Sequence, residues 1–216
     1  ARKTGLVEED TRLSFLGFGT MNGKDGKPFK TREGGVMRLE NLIADIDEEM
    51  FTKIVENRSV RDKDARDTAK IVGLAAIKYG DLSNQATKDY IFDVDRFTSF
   101  EGNTGPYILY TIVRIKSILN RYVEAGGNLE AGEILPASNG SEKNLMLQLS
   151  GFGSMIESAF EEKAPHKICA YIYEVSNAFN SFYHETKILS EENQAQKESY
   201  IRLLQLTKRV LETSID

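Results

Sequence analysis

The sequence predicts a mainly α-helical protein in which a short strand and a cationic loop precede a helical bundle. Apolar residues recur at spacings of three and four over most of residues 39–211, which is typical of helices that bury one face. A glycine-rich segment at residues 23–34 interrupts the chain before the first of these helices. The pattern changes near residue 97, which predicts two parts, residues 1–97 and residues 98–216.

The first predicted element is a short strand over residues 13–21 that leads into the cationic loop. Residues 23–34 contain three lysines, one arginine, three glycines and one proline, so they form neither a helix nor an uninterrupted strand. Lysine ammonium groups and backbone amides freed by glycine are groups that hold phosphate. An alternative stays open, because Asp25-Gly26 between two lysines is also a good hairpin turn with solvated lysines. The segment is not a Walker loop, since no Gly-Lys-Ser/Thr follows four variable residues.

Two helices are predicted after the loop, whose exit is at residues 36–39. The first begins at Leu39, and its acidic opposite face is interpreted as solvated. The second runs from about Asp62 to Tyr79, and its small inward residues indicate close packing against a neighbour. The inward positions are Leu39, Leu42, Ile43, Ile46, Met50 and Ile54 in the first helix, and Ala65, Ala69, Val72, Ala75 and Ala76 in the second.

Residues 80–105 are predicted to be irregular, and a bundle of longer helices follows. Thr104 or Gly105 can cap the first of them, and Pro106 suits its first turn. This helix is expected to reach about Ala125 before Gly126-Gly127 stops it, and residues 126–141 read as a loop. Further helical periods cover about residues 142–160, 165–188 and 191–211.

Composition excludes several classes of protein. The 216 residues are 40% apolar, which is enough for one or two ordinary cores. The one cysteine, Cys169, excludes an internal disulfide framework, suits a reducing compartment and is expected to be buried. Two dispersed histidines and one cysteine predict no metal site. No apolar run reaches the ~20 residues of a membrane span, and a net charge of −5 argues against a generally basic protein that coats nucleic acid.

Residues 171–187 carry a candidate face for single-stranded RNA. Four polar residues recur at helical spacings of three, four and three, and Tyr183 lies beside them. RNA bases are held by stacking on aromatic rings together with polar contacts to base edges. The alternative, a solvated face next to a buried aromatic stripe, stays open, and burial is the preferred interpretation for Phe179 and Phe182. The polar residues are Asn177, Asn180, His184 and Lys187.

The helix after Pro106 carries a second candidate face. Arg114 and Arg121 are seven residues apart, so they share one side of the helix and could hold a phosphate backbone. An exposed helix with scattered basic residues is the alternative. Tyr107, Tyr110 and Lys116 lie on the same helix.

Five separate segments, in order along the chain, carry a family resemblance. They read GFGTMN followed by GKPFKTREGG at residues 17–35, KYGDLS at 78–83, DYIFD at 89–93, FEGNTGPY at 100–107 and AFNSFYH at 178–184. Together they resemble the arginyl-tRNA synthetases, a class I family, over essentially the whole chain.

The resemblance implies roles for both parts. Residues 1–97 would be the C-terminal part of a class I catalytic domain, and residues 98–216 an α-helical anticodon-binding domain of the DALR type. Residues 26–35 stand where class I synthetases carry the KMSKS loop, which closes over the phosphates of ATP while pyrophosphate leaves. The implied catalytic residues are Lys27, Lys30, Thr31 and Arg32, and the implied phosphate-binding residues are Gly26, Lys27, Lys30 and Gly34. The implied tRNA-binding residues are Tyr107, Arg114, Asn177, Asn180, Tyr183, His184 and Lys187.

The resemblance also implies substrates and a setting. These are ATP with Mg²⁺, arginine and arginine tRNA, used by a monomer in the cytoplasm without a membrane or a bound prosthetic group. Thr31 stands where the KMSKS pattern has its second lysine, which leaves open which cation touches the phosphates. Neither His166 nor His184 lies in a HIGH motif, so we expect the C-terminal part of a longer enzyme, inactive alone. Two alternatives are a stand-alone tRNA-binding or adaptor module without catalysis, and a purely structural bundle.

Overall fold

The structure, a computed structural model, describes residues 1–27, 38–56 and 62–215, with the backbone alone at residues 62–63. Within these residues the chain is mainly helical, as predicted, with two very short strands. The elements in order are a 3₁₀ turn Arg2–Thr4, β1 Met21–Asn22, α1 Leu39–Glu56, α2 Asp62–Leu82, β2 Tyr90–Ile91, α3 Val94–Phe97, α4 Gly105–Glu124, α5 Gly140–Ser150, α6 Phe152–Glu162, α7 Pro165–Glu185 and α8 Gln194–Ile215.

Helices α1 and α2 pack along each other and form a first core together with residues near α3. Ala65, Ala69 and Ala76 of α2 are buried, which confirms the predicted close packing of small residues. The prediction for α1 was correct at four of its six inward positions. Leu39 and Ile43 are 64% and 37% exposed, because the stripe that faces α2 is narrower than the spacing of apolar residues suggests.

The two strands form a parallel pair, with Met21 opposite Tyr90 and Asn22 opposite Ile91. The predicted strand over residues 13–21 is therefore wrong except at its last residue, and residues 11–20 have no regular structure. A strand extends only as far as its partner, and among the described residues the partner supplies two residues. The residues just before β1 run very close to the residues just before β2. A Cβ on Gly19 would lie 2.3 Å from the Lys88 carbonyl.

The helix predicted after Thr104 is confirmed as α4. The Thr104 side chain accepts a hydrogen bond from the Tyr107 amide and donates one to the Ser99 carbonyl, and Pro106 occupies the first turn. The helix begins close to α2, because a Cβ on Gly105 would lie 2.4 Å from the Ala75 carbonyl oxygen.

Helices α4, α5, α7 and α8 enclose the second core, and α6 packs against α7. Phe179 and Phe182 of α7 are fully buried, as expected, and Cys169 is buried with them. Burial raises the pKa of the Cys169 thiol to about 11, so the sulfur is an inert apolar group. The helix predicted over residues 142–160 is two helices that meet at Gly151.

One buried tyrosine connects the first part of the chain to the second. Tyr79 of α2 is 5% exposed, and its hydroxyl donates to the carbonyl oxygen of Cys169 in α7 at 2.7 Å. The same hydroxyl lies 2.5 Å from Oδ1 of Asn103, in the segment before α4. Three elements therefore meet at one phenol group. The domain division at residue 97 stays a prediction.

Candidate functional site

A tight turn begins the cationic loop at residues 23–27. The Gly23 amide donates to the Lys27 carbonyl at 3.0 Å, and the Gly26 amide donates to the Gly23 carbonyl at 2.9 Å. Gly26 has a φ of 73°, a left-handed conformation that favours glycine. The Asp25 carboxylate accepts a hydrogen bond from the Lys27 amide. A turn is therefore present one residue earlier than the predicted hairpin turn, with Lys24 and Asp25 as its central residues and Gly26 after them, and the Lys27 side chain is exposed.

A second lysine, Lys24, forms ion pairs with two aspartates at the start of α3 and so connects the turn to that helix. Its ammonium lies 2.6 Å from Oδ2 of Asp95 and 3.3 Å from Oδ1 of Asp93. The hydrogen bonds with Asp95 and Asp93 raise the pKa of Lys24, and Lys24 in turn lowers the pKa of Asp95. Lys24 and Asp95 are solvent-exposed and the Asp93 side chain is 34% exposed, so these ion pairs orient the turn more than they stabilise the fold. Sequence reasoning missed this contact, because the partners are about seventy positions apart.

The central residues of the predicted phosphate site lie outside the described residues. These are Lys30, Thr31, Arg32 and Gly34, which fall within residues 28–37. Of the residues assigned to this site, the structure places Gly26 and Lys27, both in the turn. Their roles toward phosphate stay predictions.

The candidate RNA face forms a chain of hydrogen bonds between α4 and α7. Arg114 donates to Oδ1 of Asn180 at 2.5 Å, and Nδ2 of Asn180 donates to the Tyr107 hydroxyl at 2.9 Å. That hydroxyl donates in turn to Oδ1 of Asn177 at 2.8 Å. Burial raises the pKa of Tyr107, although the Asn180 hydrogen bond opposes it, so the phenol stays protonated and can donate. Each of these partly buried side chains is hydrogen-bonded to the next one in the chain, and these bonds hold the four side chains in one arrangement.

Aromatic rings flank this hydrogen-bonded chain. The Arg114 guanidinium lies 4.8 Å from the ring centre of Tyr110, to whose hydroxyl it also donates, and 5.3 Å from the ring centre of Tyr183. Tyr183 is 37% exposed and stacks on the buried Phe179, with ring centres 6.1 Å apart. His184 meets Tyr183 edge to face. The face therefore offers flat rings and a fixed cation in the same place, which suits nucleobases.

A cavity of about 860 Å³ opens beside these groups. Four of the predicted tRNA-binding residues line it, and Asn177 and Tyr183 support it through their contacts with Tyr107 and Arg114. Its volume is in the range of small-molecule pockets, large enough for a nucleotide. The four lining residues are Tyr107, Arg114, Asn180 and His184.

Two basic residues that were predicted to contact RNA, Lys187 and Arg121, do not line the cavity. Helix α7 ends at Glu185, so Lys187 lies beyond the helix, and its predicted place on the same helical face is wrong. The chain turns extended at Thr186, which accounts for the difference. Arg121 is exposed in the last turn of α4, two turns from Arg114 and outside the cavity lining.

The opposite wall of the cavity comes from α1, α2 and the segment that precedes α4. Ile54 of α1 and Thr68 and Val72 of α2 line it, together with Phe100 and Glu101 from the segment before α4. No pattern in the sequence signals these residues as a site, because apolar positions of α1 and α2 read as ordinary core. Tyr110 and Val113 of α4 also line the cavity, and the spacing of Tyr107, Tyr110 and Arg114 on one helical face could have indicated Tyr110.

No helix among the described residues is both long and apolar enough to span a membrane. In the same residues, no three His, Cys, Asp or Glu side chains are grouped closely enough to hold a metal ion.

Two protein-family models match the chain. One, described as tRNA synthetases class I (R), catalytic domain, matches residues 1–94, and the other, described as DALR anticodon binding domain, matches residues 108–216. Curated relatives named arginine–tRNA ligase match over the full length of the chain, at 66% identity in Agathobacter rectalis and 40% in Pseudomonas fluorescens.

The chain belongs to the arginyl-tRNA synthetase family.

As a member of this family, the chain is shorter than its relatives. It spans 38% of the Agathobacter rectalis ligase and 37% of the Pseudomonas fluorescens ligase. Among solved structures, it resembles the arginyl-tRNA synthetase of Thermus thermophilus with a TM-score of 0.80, at 24% identity over 93% of this chain and 33% of that one. The enzyme from Plasmodium falciparum gives a TM-score of 0.75 at 25% identity, again over 93% and 33%.

Proposed function

We propose that this arginyl-tRNA synthetase family chain supplies two parts of a ligase that uses ATP to activate arginine and join it to its tRNA. One part is the loop that closes over the ATP phosphates. The other is the surface that recognises the anticodon arm. The observation that carries the proposal is the cavity that α4 and α7 line with Tyr107, Arg114, Asn180 and His184. The last three of these residues fall in the region that the anticodon-binding family model matches.

The cavity supports binding of an unpaired base. A guanidinium carries five N–H donors, and among the described residues Arg114 uses two of them on Asn180 and Tyr110. The others can donate to oxygen or nitrogen acceptors on a base edge. The Arg114 chain of hydrogen bonds fixes these donors before binding, so little conformational entropy is lost when a base enters. Apolar walls from Val72 and Val113 exclude water from the base.

The loop would act mainly through charge. Adenylate formation places negative charge on the departing pyrophosphate, and cations that close only on bound nucleotide favour that transition state over the ground state. Lys27, Lys30 and Arg32 are the proposed cations, and Thr31 adds a hydroxyl donor. The exposed Lys27 side chain and the anchored turn before it support this assignment. No residue of the loop needs to act as a base, since arginine brings its own carboxylate.

The remaining parts of the proposal concern the substrates, the oligomeric state and the location of the enzyme. Arginine tRNA, ATP and arginine are the proposed partners, and Mg²⁺ would accompany the ATP phosphates. A monomeric enzyme in the cytoplasm is proposed as well. The single, buried, inert cysteine supports a reducing compartment.

Measuring the binding of an arginine tRNA transcript to matched arginine variants tests the recognition surface. Arg114→Ala should weaken binding by about 1–3 kcal/mol, because it removes donors fixed in the cavity. Arg121→Ala on the same helix removes an equal charge outside the cavity, and we expect a much smaller loss. Thermal melts of both variants must match the parent before the affinities are compared. Equal losses for the two variants would show that binding depends on general charge, and the cavity would not be the recognition site.

A further inference from the structure

The two lysines of the turn at residues 23–27 differ in their surroundings. Lys24 forms ion pairs with the carboxylates of Asp93 and Asp95. Lys27 is exposed and pairs with no carboxylate among the residues that the structure describes. Two carboxylates beside Lys24 would repel a phosphate group, so this lysine is poorly suited to bind one. The charge of Lys27 is available to a ligand, and the two lysines therefore have different tasks.

Helix α3 gives Lys24 a fixed partner. Asp93 caps this helix, and its carboxylate accepts hydrogen bonds from two amides of the first turn. Phe97, at the other end of α3, is buried and meets Phe92 edge to face, with the ring centres 4.8 Å apart. The aspartates that hold Lys24 therefore belong to a helix that is itself packed into the first core.

Past the end of β1, the turn is joined to the rest of the molecule through Lys24. The last hydrogen bond of the strand pair runs from the Phe92 amide to the Asn22 carbonyl at 2.9 Å. Among the described residues, the backbone hydrogen bonds of residues 23–27 stay within the turn itself. The contact of Lys24 with α3 therefore decides how the turn is oriented, and with it the position of Lys27.

The turn and the two aspartates lie at the same edge of the strand pair. The strands β1 and β2 are parallel, the turn follows the end of β1, and Asp93 follows the end of β2. In open α/β sheets, ligands bind outside the carboxyl ends of parallel strands. The family model of the class I catalytic domain matches both strands. The ion pairs of Lys24 are therefore formed at the edge where a ligand of that domain is expected.

We propose that Lys24 is a positioning residue, which pairs with Asp95 and Asp93 and thereby directs Lys27 toward the phosphates of ATP. The inference rests on the proposed function of Lys27 as a phosphate-binding cation. Without the ion pairs the turn samples more orientations, and Lys27 spends less time where the reaction needs it. Exposed ion pairs contribute little to folding, so their loss should change the rate of the reaction and not the stability of the protein.

Kinetics of a full-length ligase test the proposal. In this ligase the chain replaces the matching 38% of the Agathobacter rectalis enzyme. Lys24→Met removes the ammonium and keeps most of the side-chain length, and Asp95→Asn removes the charge of one partner with little change of shape. Glu48→Gln is the matched control, because it breaks a similarly exposed ion pair, with Arg66 at 2.7 Å, that joins α1 to α2. Thermal melts of all three variants should match the parent.

The expected result is a loss of rate that is specific to the Lys24 pair. Lys24→Met and Asp95→Asn should each lower kcat for arginyl-tRNA formation by about two- to fivefold, the range that exposed ion pairs contribute. The two changes together should lower kcat no further than Lys24→Met alone, because both remove the same contact. Glu48→Gln should leave kcat unchanged. An equal loss for Glu48→Gln would overturn the proposal, because the effect would then not be specific to the turn.

A Lys27→Met background shows whether Lys24 acts through Lys27. Lys27→Met should lower kcat more than Lys24→Met does, and adding Lys24→Met to it should cause no further loss. A further loss as large as in the parent would overturn the proposal, because Lys24 would then act by another route. If Lys27→Met lowers kcat and Lys24→Met does not, the proposal is wrong and the role of Lys27 stands. An unchanged kcat for Lys27→Met would overturn both.

Discussion

Two buried tyrosines differ in whether their hydroxyl groups have partners. Tyr79 and Tyr122 are each 5% exposed. The Tyr79 hydroxyl donates to the Cys169 carbonyl, whereas the Tyr122 hydroxyl has no hydrogen-bond partner among the described residues. An unpaired buried polar group destabilises a fold, because the hydrogen bond to water is lost without replacement. The same chemical change at the two positions should therefore have different effects.

Tyr79→Phe should lower the free energy of unfolding by about 1–3 kcal/mol, because it removes the hydrogen bonds of the buried hydroxyl with the Cys169 carbonyl and with Asn103. Tyr122→Phe should leave the stability unchanged or raise it by roughly 1 kcal/mol. Urea unfolding followed by circular dichroism measures both. A loss at Tyr122→Phe as large as the loss at Tyr79→Phe would mean that the Tyr122 hydroxyl does have a partner.

Tyr183 is the ring best placed to stack on an RNA base. It is 37% exposed and stacks on Phe179, which holds its orientation. Tyr183→Ala should weaken binding of arginine tRNA by roughly 1–3 kcal/mol if one base stacks on the ring. Fluorescence anisotropy with a labelled transcript measures the affinity.

Folding is the control for this prediction. Phe182→Ala, at a fully buried neighbour, should lower stability by about 3–5 kcal/mol, whereas Tyr183→Ala should melt close to the parent. A Tyr183→Ala variant that melts normally and binds as tightly as the parent would move the stacking site elsewhere, first to Tyr107 and Tyr110.

Residue spacing predicted one half of the site and not the other. Asn177 and Asn180 were placed on one face by helical periodicity, and the structure joins both to Tyr107. Periodicity describes a single helix, so it does not show that Ile54 and Val72 form the facing wall. That wall depends on how distant helices pack, which no local pattern contains.

At the scale of elements, the crossing of α2 and α4 depends on one glycine. A Cβ on Gly105 would lie 2.4 Å from the Ala75 carbonyl oxygen, and backbone cannot move aside as a flexible side chain can. Gly105→Ala should therefore lower the free energy of unfolding by about 1–3 kcal/mol, through a forced shift of one helix. Thermal unfolding measures the change.

Gly140, the first residue of α5, is the matched control. A Cβ there meets no atom within 4 Å, so Gly140→Ala should be neutral or slightly stabilising. Similar losses at both positions would assign the effect to backbone conformation, and the close helix crossing would not be its cause.

Element types were more predictable than element ends. The start of α4 was predictable from Thr104, Gly105 and Pro106, because helix capping depends on residues that are neighbours in the sequence. The break between α5 and α6 at Gly151 and the end of α7 at Glu185 were missed, since apolar spacing continues across both. The strand over residues 13–21 failed for a different reason. Strand formation depends on a partner, and the described partner is only two residues long.

At the scale of the whole ligase, the cationic loop should act on the rate more than on ATP binding. The protein to test is a full-length ligase in which this chain replaces the matching 38% of the Agathobacter rectalis enzyme. In that ligase, Lys30→Ala or Arg32→Ala should lower kcat with a smaller change in the KM for ATP. One lost charged contact should raise the barrier by about 2–4 kcal/mol, as for removal of one oxyanion-hole donor. Arginine-dependent exchange of pyrophosphate into ATP measures both constants. Variants that keep the parental kcat and change only KM would make the loop a binding element.

The 216-residue chain should separate tRNA binding from catalysis. It contains the region that the anticodon-binding model matches, but it spans only 37–38% of the ligases that it resembles. We therefore expect the purified chain to bind arginine tRNA, and to form no arginyl-tRNA above background when it is given ATP, Mg²⁺, arginine and the transcript. The full-length ligase that carries the same residues is the positive control in the same assay. Clear turnover by the 216-residue chain would show that it contains a complete active site. Binding without turnover would instead place arginine activation in the part of the ligase that this chain does not span.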